Sequence, residues 1–381
     1  MNRALIVTSV ASMISQFNIP NIKLLIELGY KVTVATNFKN PGNIPEDESV
    51  KLINFLEEMD VECINIPFSR NPVDKHNIES YKILKEIITS NGYKLIHCQS
   101  PIGGAITRLA AKGTSGKIIY TAHGFHFFKG APLKNWVTYY PLEKYLSRYT
   151  DVLITINNED FFNSKKFHAK KLKKVHGVGI ETHHNIIDDD KIKEMKKELG
   201  ILKNQMVFIS VGELNDNKNH SIVLKAFSTL TELNYQYLII GQGPKADELQ
   251  MLINKYELTD NIKLLGYRDD VPELLSLSDV FIFPSYREGL SKALMEAMSY
   301  GLPVIASKIR GNIDLVCEKK GGYLFNPNDY RSLSKKIKNL YYHGEKRKSF
   351  SEWNKDIITE YDMKKVNEEM KEIYKYILEI K

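Results

Sequence analysis

The chain has 381 residues, of which 43% are hydrophobic and 26% charged, and a net charge of +7; this is the composition of a globular protein long enough for two domains. No apolar run approaches the roughly 20 residues of a membrane-spanning helix. The three scattered cysteines lack a Cys-x-x-Cys pair, which excludes a disulfide framework or a cysteine zinc site and suits a reducing cytosol, so we expect a cytoplasmic protein.

The positive charge is concentrated in the first half of the chain. Residues 1–177 carry 23 Lys and Arg against 15 Asp and Glu. Such a surface suits nucleic acid, an anionic bilayer or a phosphorylated ligand. We expect no nucleic-acid partner, because the chain has no helix-turn-helix, RNP or zinc pattern. A solvated, lysine-rich face is the alternative interpretation.

The first part of the chain predicts a doubly wound sheet. Short apolar runs alternate with amphipathic helical stretches, such as residues 17–28 and 77–90. Apolar strands that alternate with helices form parallel sheets covered on both faces, whose ligands bind beyond the carboxyl ends of the strands. The predicted strands are residues 3–9, 31–36, 61–66, 94–98, 117–122 and 151–156.

Two loops that follow these strands are candidates for a binding site. The loop at 8–13 has small residues but not the glycines of a phosphate cradle. The run Thr121-Ala122-His123-Gly124 places His123 at a strand tip, beside a glycine that leaves space for a substrate. We predict His123 as a substrate-site residue; a histidine that caps the backbone is the alternative. His126 is close by in sequence, but without a third ligand the two histidines predict no zinc site.

Residues 132–149 combine aromatic side chains with the cations Lys134, Lys144 and Arg148. This mixture suits a helix at a bilayer interface, where rings and cationic stems are both favourable. It equally suits a helix that covers the sheet with its aromatic face inward. Both interpretations stay open, and the lysines between 165 and 174 extend the basic patch.

The second half of the chain predicts another alternating array. A segment with two glycines, 175–186, reads as the linker to it. Asp188–Asp190 has the Asp-x-Asp spacing of a metal motif, but these acids precede a predicted helix at 191–199, where they complement the helix dipole, so we expect no metal. The later predicted strands are 206–212, 237–240, 262–265 and 279–283, and the closing helices are 328–342, 345–358 and 362–380.

The most informative stretch runs from Phe283 to Ala297. An apolar strand ends in Phe283-Pro284-Ser285, and helix-forming residues follow from Lys292 to Met298. Glu288 is expected just outside this helix and Glu296 about two turns into it, so that about 12 Å of helix separates the two acids. The free N–H groups of the first turn lie between them and would bind an anion. Two solvated acids on an exposed helix are the alternative.

This Glu-x7-Glu spacing after Phe-Pro-Ser, followed by Gly301-Leu302-Pro303-Val304-Ile305-Ala306-Ser307, resembles the signature of family 4 of the retaining GT-B glycosyltransferases. The resemblance implies an α/β fold of two Rossmann-like, doubly wound parallel-sheet domains that face a cleft. It implies an N-terminal acceptor-binding domain (1–180), a C-terminal domain that binds a nucleotide-sugar (181–360), and a last helix (361–381) that packs back on the first domain.

The resemblance also implies roles for individual residues. Glu288 would bind the sugar hydroxyls and Glu296 the ribose, while Lys218 fits the lysine that neutralises the diphosphate. Glu213 stands where the family has an arginine, so another cation would supply the second contact, with Lys292, Arg287 and Arg310 as candidates. The predicted catalytic residues are His123, Glu288 and Lys218. The predicted donor-binding residues are Gly212, Lys218, Gly241, Gly243, Tyr267, Arg268, Arg287, Glu288, Gly289, Leu290, Ser291, Lys292 and Glu296.

Two of these assignments have a plain alternative. Gly241-Gln242-Gly243 resembles the family's glycine turn above the phosphates. Tyr267 and Arg268 follow the strand whose next residues contact the nucleobase in the family. Ordinary turn chemistry is the alternative for both.

The resemblance predicts an enzyme that moves a hexose or N-acetylhexosamine from a nucleotide-diphosphate sugar, preferably a UDP-sugar, with retention at the anomeric carbon. The acceptor would be a lipid-linked or other saccharide of bacterial capsule or exopolysaccharide synthesis. The basic first domain would bind the anionic inner face of the cytoplasmic membrane. No cofactor and no metal are expected, because GT-B enzymes hold the diphosphate with helix termini and cations. A GT-B nucleotide-sugar epimerase and a catalytically silent nucleotide-sugar-binding module stay open as alternatives.

Overall fold

The computed structural model describes residues 2–184 and 187–379. The chain divides into two compact units. Unit 1 comprises Met1–Gly179 and Lys364–Lys381, and unit 2 comprises Ile180–Met363. Of the predicted segments, residues 185 and 186 of the linker and residues 380 and 381 of the closing helix lie outside the described residues.

The described residues form alternating strands and helices in both units. The strands are β1 (Asn2–Val7), β2 (Tyr30–Thr36), β3 (Glu62–Asn65), β4 (Leu95–Gln99), β5 (Lys117–Ala122), β6 (Val152–Thr155), β7 (Lys171–Lys174), β8 (Met206–Val211), β9 (Tyr235–Ile240), β10 (Ile262–Gly266), β11 (Val280–Phe283), β12 (Val304–Ser307) and β13 (Gly322–Phe325). The helices are α1 (Ser12–Phe17), α2 (Ile19–Glu27), α3 (Glu46–Glu58), α4 (His76–Asn91), α5 (Pro101–Ala110), α6 (Leu133–Leu146), α7 (Asn158–Ser164), α8 (Asp189–Glu198), α9 (His220–Phe227), α10 (Ala246–Lys255), α11 (Val271–Ser276), α12 (Lys292–Ser299), α13 (Asn312–Leu315), α14 (Tyr330–Tyr342), α15 (Gly344–Ile357) and α16 (Met363–Glu379). Short 3₁₀ helices lie at Ser147–Tyr149, Asp216–Lys218 and Ile358–Tyr361.

Unit 1 is built around a seven-stranded parallel sheet of order β3-β2-β1-β4-β5-β6-β7. Residues 4–7 of β1 are fully buried, as expected of a central strand covered on both faces. The strand order reverses between β1 and β4, and in such sheets ligands bind in the crevice beyond the carboxyl ends at this switch point.

The last helix, α16, packs on unit 1. The hydroxyl of its Tyr374 lies 2.8 Å from Nδ1 of His97 on β4, and both side chains are buried. Near the end of the helix, the Lys171 ammonium lies 3.6 Å from the centre of the Tyr376 ring. A buried polar contact and an aromatic contact therefore fix this helix to the sheet.

Unit 2 is built around a six-stranded parallel sheet of order β10-β9-β8-β11-β12-β13. Successive residues of β8 enter different cores: Phe208 packs on one face of the sheet and Val207 and Ile209 on the other. Side chains alternate across a strand, so a strand covered on both faces needs apolar residues at successive positions. The two sheets confirm the predicted α/β fold, and the switch point of unit 2 lies between β8 and β11.

Strands β7 and β13 were not predicted. Lys171–Lys174, interpreted from the sequence as part of a basic patch, forms the edge strand β7 and pairs with β6. Short edge strands rich in lysine are common because the charges prevent pairing with another chain. An apolar pattern, which identified most of the predicted strands, is absent from such an edge.

Helix α6 covers the sheet of unit 1 with its aromatic face, as one of the two interpretations of residues 132–149 expects. Trp136, Tyr139 and Tyr140 pack against the core of unit 1. A buried ion pair anchors the helix, in which Arg108 Nη2 lies 2.8 Å from Glu143 Oε2. The outer face is nevertheless apolar. Its exposed residues include Leu133, Val137, Pro141, Leu142 and Tyr145.

Candidate active site

Two predicted residues meet at the switch point of unit 2. Lys218 follows β8, Glu288 follows β11, and these two strands are neighbours in the sheet. The Lys218 ammonium lies 2.8 Å from Glu288 Oε1, and the side chains are 18% and 16% exposed. The structure therefore brings together a cation and an acid that are 70 residues apart in sequence, at the edge where doubly wound sheets bind ligands.

Local contacts hold Lys218 in place. Asn215 Oδ1 accepts the Lys218 backbone N–H over 3.0 Å, which caps the 3₁₀ turn at Asp216–Lys218. The lysine stem passes over Gly212, where a Cβ would meet Lys218 Cε at 3.1 Å. The ammonium lies 4.8 Å from the centre of the Phe283 ring. These contacts direct the charge towards Glu288 rather than towards solvent.

The predicted glycines serve the packing of the loops after β8 and β9. A Cβ on Gly241 would overlap the carbonyl oxygen of Gly212, and one on Gly243 would overlap Leu214. The two loops can approach each other only without these side chains. A phosphate contact of the Gly241–Gly243 turn stays a prediction.

The loop that carries Glu288 is tied to its neighbours. Asn217 Nδ2 donates to the Arg287 carbonyl over 2.9 Å, and Arg310 Nε donates to the Glu288 carbonyl over 3.2 Å. Gly311 lies so close to the Gly289 carbonyl that a Cβ there would overlap it. Asn217 and Gly311 were not predicted, because both act on the backbone of residues distant in sequence.

The predicted spacing of Glu288 and Glu296 is wrong. Helix α12 begins at Lys292, so Glu296 is its fifth residue and lies little more than one turn into the helix, not two. The preceding residue, Ser291, has an extended backbone and caps the helix through its hydroxyl, which accepts the Leu294 N–H over 3.3 Å. Four of the nine residues from 288 to 296 are therefore not helical, and the estimate of 12 Å of helix does not apply.

The start of α12 keeps the properties of an anion site. Among the described residues, the N–H groups of Lys292 and Ala293 have no acceptor. Lys292 Nζ lies 3.4 Å from Glu296 Oε1, and both side chains are partly exposed. The start of α12 therefore offers two free amides and an accessible ammonium to an anion, and Glu288 lies shortly before it in the chain.

The remaining predicted cations differ in their availability. Arg268 forms two hydrogen bonds with the Asp270 carboxylate, at 2.7 and 2.5 Å, which lowers the pKa of Asp270 and compensates the charge of Arg268. Tyr267 is 74% exposed, and Arg287 is exposed. Glu213 is also exposed, and no ion pair of it is found among the described residues. Arg310, by contrast, is buried beside the Glu288 loop.

The candidate residue of unit 1, His123, lies beside the switch point of its own sheet. Its Nε2 is 2.6 Å from Gln99 Oε1 at the end of β4, and its ring lies against Phe17. Burial lowers the pKa of His123 to about 4. The ring borders a cavity of about 20 Å³, room for roughly one water molecule. Gln99 was not predicted.

Polar groups at the start of the loop at 8–13 form hydrogen bonds with residues of neighbouring segments of unit 1. The Thr8 hydroxyl lies 2.9 Å from that of Thr36, and the Ser9 N–H donates to the Ser100 hydroxyl over 3.2 Å. Within residues 2–184 and 187–379, no group of three His, Cys, Asp or Glu side chains is placed to hold a metal ion.

Family models match both halves of the chain. The model described as glycosyl transferase 4-like matches residues 9–157, and the model described as glycosyl transferases group 1 matches residues 191–356. EpsD from Bacillus subtilis is 32% identical over 368 residues, which cover 94% of this chain and 92% of EpsD. The chain belongs to the group 1 glycosyltransferases. The predicted family-4 type and the predicted enzyme class are thereby confirmed.

Two further proteins are similar over long stretches. The UDP-Gal:α-D-GlcNAc-diphosphoundecaprenol α-1,3-galactosyltransferase of Escherichia coli is 33% identical over 284 residues, covering 71% of this chain and 70% of that enzyme. The crystal structure of HepE from Anabaena in complex with UDP has a TM-score of 0.77 at 18% identity and covers 99% of this chain and 100% of HepE. This likeness establishes the GT-B fold for the glycosyltransferase.

Proposed function

We propose that this glycosyltransferase transfers a hexose or N-acetylhexosamine from a UDP-sugar to a lipid-linked saccharide, with retention at the anomeric carbon, in the synthesis of a bacterial surface polysaccharide. The observation that carries the proposal is the Lys218–Glu288 pair at the switch point of unit 2. Glu288 lies shortly before the start of α12, whose first amides are free. Support also comes from the E. coli relative, whose name specifies a UDP-sugar and a diphosphoundecaprenol acceptor, and from the UDP complex of HepE.

In this proposal, Lys218 and the first amides of α12 bind the diphosphate. Glu288 accepts hydrogen bonds from the sugar hydroxyls and Glu296 from the ribose hydroxyls, while the Gly241–Gly243 turn lies beside the phosphates. His123 contacts a hydroxyl of the substrate. Because Lys218 is paired with Glu288 before the donor arrives, its charge is already oriented when the phosphate binds.

The bond changes follow from these roles. The acceptor oxygen bonds to the anomeric carbon as the bond between that carbon and the phosphate oxygen breaks, on the same face of the sugar. The acceptor proton passes to a phosphate oxygen of the departing UDP. Lys218 and the α12 amides stabilise the negative charge that develops on the diphosphate. No metal or cofactor takes part in the proposed step.

The test is an incubation of the purified protein with a panel of UDP-sugars, with and without a polyprenyl-diphosphate saccharide. We expect UDP and an elongated lipid only when both substrates are present, and a product of unchanged anomeric configuration. A converted sugar still attached to UDP would instead identify an epimerase. Binding of the donor without turnover in the presence of any of the acceptors would identify a catalytically silent binding module.

We also propose that α6 docks unit 1 on the inner face of the cytoplasmic membrane. Leu133, Val137, Pro141 and Tyr145 recur every four residues and so form one stripe along the exposed side of the helix. Cations border the stripe: the Arg148 guanidinium lies 5.7 Å from the Tyr145 ring, and the Lys112 ammonium lies 5.3 Å from the Tyr149 ring. Apolar side chains flanked by cations fit an anionic bilayer surface.

Sedimentation with vesicles tests this docking. We expect binding to vesicles that contain phosphatidylglycerol, weaker binding at high salt, and loss of binding in Val137→Asp. The matched control is Val73→Asp, because Val73 is 88% exposed in the same unit but lies outside α6. Equal binding by both variants would contradict the assignment to α6. In the described chain, no helix has the length and apolar character needed to cross a bilayer.

A further inference from the structure

A series of amide side chains in unit 1 connects a backbone carbonyl to His123. Asn18 Nδ2 donates to the carbonyl oxygen of Met13 over 2.8 Å. A carbonyl oxygen can only accept, so this bond fixes which end of the Asn18 amide carries the nitrogen. The Asn18 oxygen then accepts hydrogen bonds from Gln99 Nε2 and, over 3.2 Å, from Asn21 Nδ2, while the Asn18 nitrogen also donates to Gln99 Oε1 over 3.2 Å.

The orientation of Gln99 follows from that of Asn18. Because the Gln99 nitrogen donates to Asn18, its oxygen faces Nε2 of His123, 2.6 Å away. An amide oxygen has no proton to give, so the imidazole must be the donor. The proton of His123 therefore resides on Nε2, and Nδ1 carries a lone pair.

Burial makes this arrangement rigid. Asn18 is fully buried and Gln99 is 2% exposed, so neither amide can turn over and replace its partners with bulk water. A reversal of either amide would place two donors or two acceptors face to face, at the cost of an unpaired buried group.

Nδ1 of His123 remains available. Within the described part of the chain it has no hydrogen-bond partner, and the ring lines the small cavity together with Thr121 and Phe17. His97 lies near enough to interact electrostatically with His123, and burial together with His123 lowers the pKa of His97 to about 3. On the other side of His97, burial raises the pKa of Tyr374. Among the described residues, no acid, lysine or arginine lines the cavity that His123 borders.

We infer that Gln99, oriented by Asn18, is a positioning residue that holds His123 as a neutral imidazole whose Nδ1 accepts a hydrogen bond from a substrate hydroxyl. The inference rests on the proposed function, in which His123 contacts a sugar hydroxyl. It assigns His123 no part in neutralising the diphosphate, because a neutral acceptor repels phosphate oxygens. That task falls to Lys218 and α12 of unit 2.

Nuclear magnetic resonance of the ¹⁵N-histidine-labelled protein tests the tautomer directly, with His123→Ala to assign the signals. We expect a protonated Nε2, an unprotonated Nδ1, and no protonation of His123 until the pH falls to about 5, one unit above its pKa. In Gln99→Glu the new carboxylate should raise the pKa of His123 by about one to three units. A wild-type signal from Nδ1–H, or titration near the ordinary histidine pKa, would overturn the inference.

The control for this spectrum is Tyr374→Phe. That change removes the hydroxyl that bonds Nδ1 of His97 but leaves Gln99 and Asn18 in place. The His97 signals should shift while those of His123 stay. A matching shift of both histidines would indicate a general change of packing and would count against a specific role of Gln99.

Kinetics distinguish this inference from the proposed function. Gln99→Met should lower transfer about tenfold, because His123 is then no longer oriented and one hydrogen bond to the substrate is lost. Gln99→Glu should move the acid limb of the pH–rate profile to higher pH. Full activity in both variants, with an unchanged pH profile, would refute the positioning role. Absence of transfer in the wild-type protein would instead contradict the proposed function, and the spectrum would still decide the tautomer.

Discussion

At its switch point, unit 1 presents neutral side chains, whereas unit 2 presents ion pairs. In unit 1, amides from Asn18 and Gln99 lead to a histidine that burial keeps uncharged. In unit 2, Lys218 is paired with Glu288, and Lys292 lies near Glu296. Two sheets of the same topology thus carry different chemistry: the first suits hydroxyl groups, and the second suits a ligand that bears negative charge and hydroxyls together.

The contrast also explains how each set of side chains can be kept in position. Neutral hydrogen bonds orient a group without burying a charge, so the chain in unit 1 can be almost completely enclosed. A mostly buried ion pair is costly unless both partners are held in good geometry. The contacts of Lys218 with Asn215, Gly212 and Phe283 supply that geometry.

The largest expected effect is that of removing the cation of unit 2. Lys218→Met keeps the stem over Gly212 but deletes the charge, and we expect the turnover rate to fall about a hundredfold, as when one electrostatic contact to a developing negative charge is lost. Turnover assays of the single variants and of Lys218→Met/Glu288→Gln separate the loss of the cation from the unpairing of Glu288. A Lys218→Met enzyme with the wild-type rate would contradict the assignment of the diphosphate site.

Loss of the paired acid should cost less. Glu288→Ala should lower transfer by at least about tenfold, because hydrogen bonds from the sugar hydroxyls to a carboxylate disappear. Circular dichroism should show an intact fold. Glu232→Ala, which removes an exposed acid paired with Lys338 in the same unit, is the control and should retain full activity.

Each unit contains a buried histidine, and replacing either one should lower the free energy of unfolding by a different amount. His97 in unit 1 bonds the hydroxyls of Thr121 and Tyr374, both at 2.8 Å, whereas neither ring nitrogen of His220 in unit 2 has a partner among the described residues. His97→Leu leaves two buried hydroxyls unpaired and should cost about 1–3 kcal/mol for each. His220→Leu should cost much less. Urea unfolding measures both, and equal losses would contradict the contrast.

The same histidines give stability a defined dependence on pH. Burial lowers the pKa of both His97 and His220 to about 3, below the ordinary value of about 6.5 in an unfolded chain. Between these values the unfolded chain takes up protons that the folded chain does not. The free energy of unfolding should therefore fall as the pH drops from about 6.5 towards 3, by about 1.4 kcal/mol per pH unit and histidine. His220→Leu should make this fall less steep.

The smallest effect is expected at Glu213. The residue is exposed and stands where the family has an arginine, so Glu213→Arg should tighten UDP binding by no more than about fivefold, the scale of an exposed ion pair. Calorimetric titration with UDP checks this. Asp260→Arg makes the same change of charge at another exposed position of unit 2, and an equal gain there would indicate a general effect of net charge.

The sequence predicted the fold because the fold rests on periodic patterns. Apolar strands such as residues 280–283 and the amphipathic helices between them identify a parallel sheet without knowledge of distant contacts. Strand β7 shows the limit of this approach, since its four residues include three lysines and pair at a sheet edge. The candidate residues Lys218 and Glu288 were found through the resemblance of their loops to a family signature.

What the sequence could not supply are contacts between distant residues. Nothing local indicates that Arg310 is buried beside Glu288, or that Gln99 faces His123. The exact start of α12 also depends on the cap formed by Ser291, whose hydroxyl bonds the N–H three residues further on. A count of helix-forming residues does not detect this cap.

A crystal structure of the enzyme with an intact UDP-sugar tests the central claim most directly. The account predicts the diphosphate within hydrogen-bond distance of the Lys218 ammonium and the first amides of α12, with the sugar hydroxyls at Glu288. A nucleotide bound away from the loops that follow β8 and β11 would contradict it.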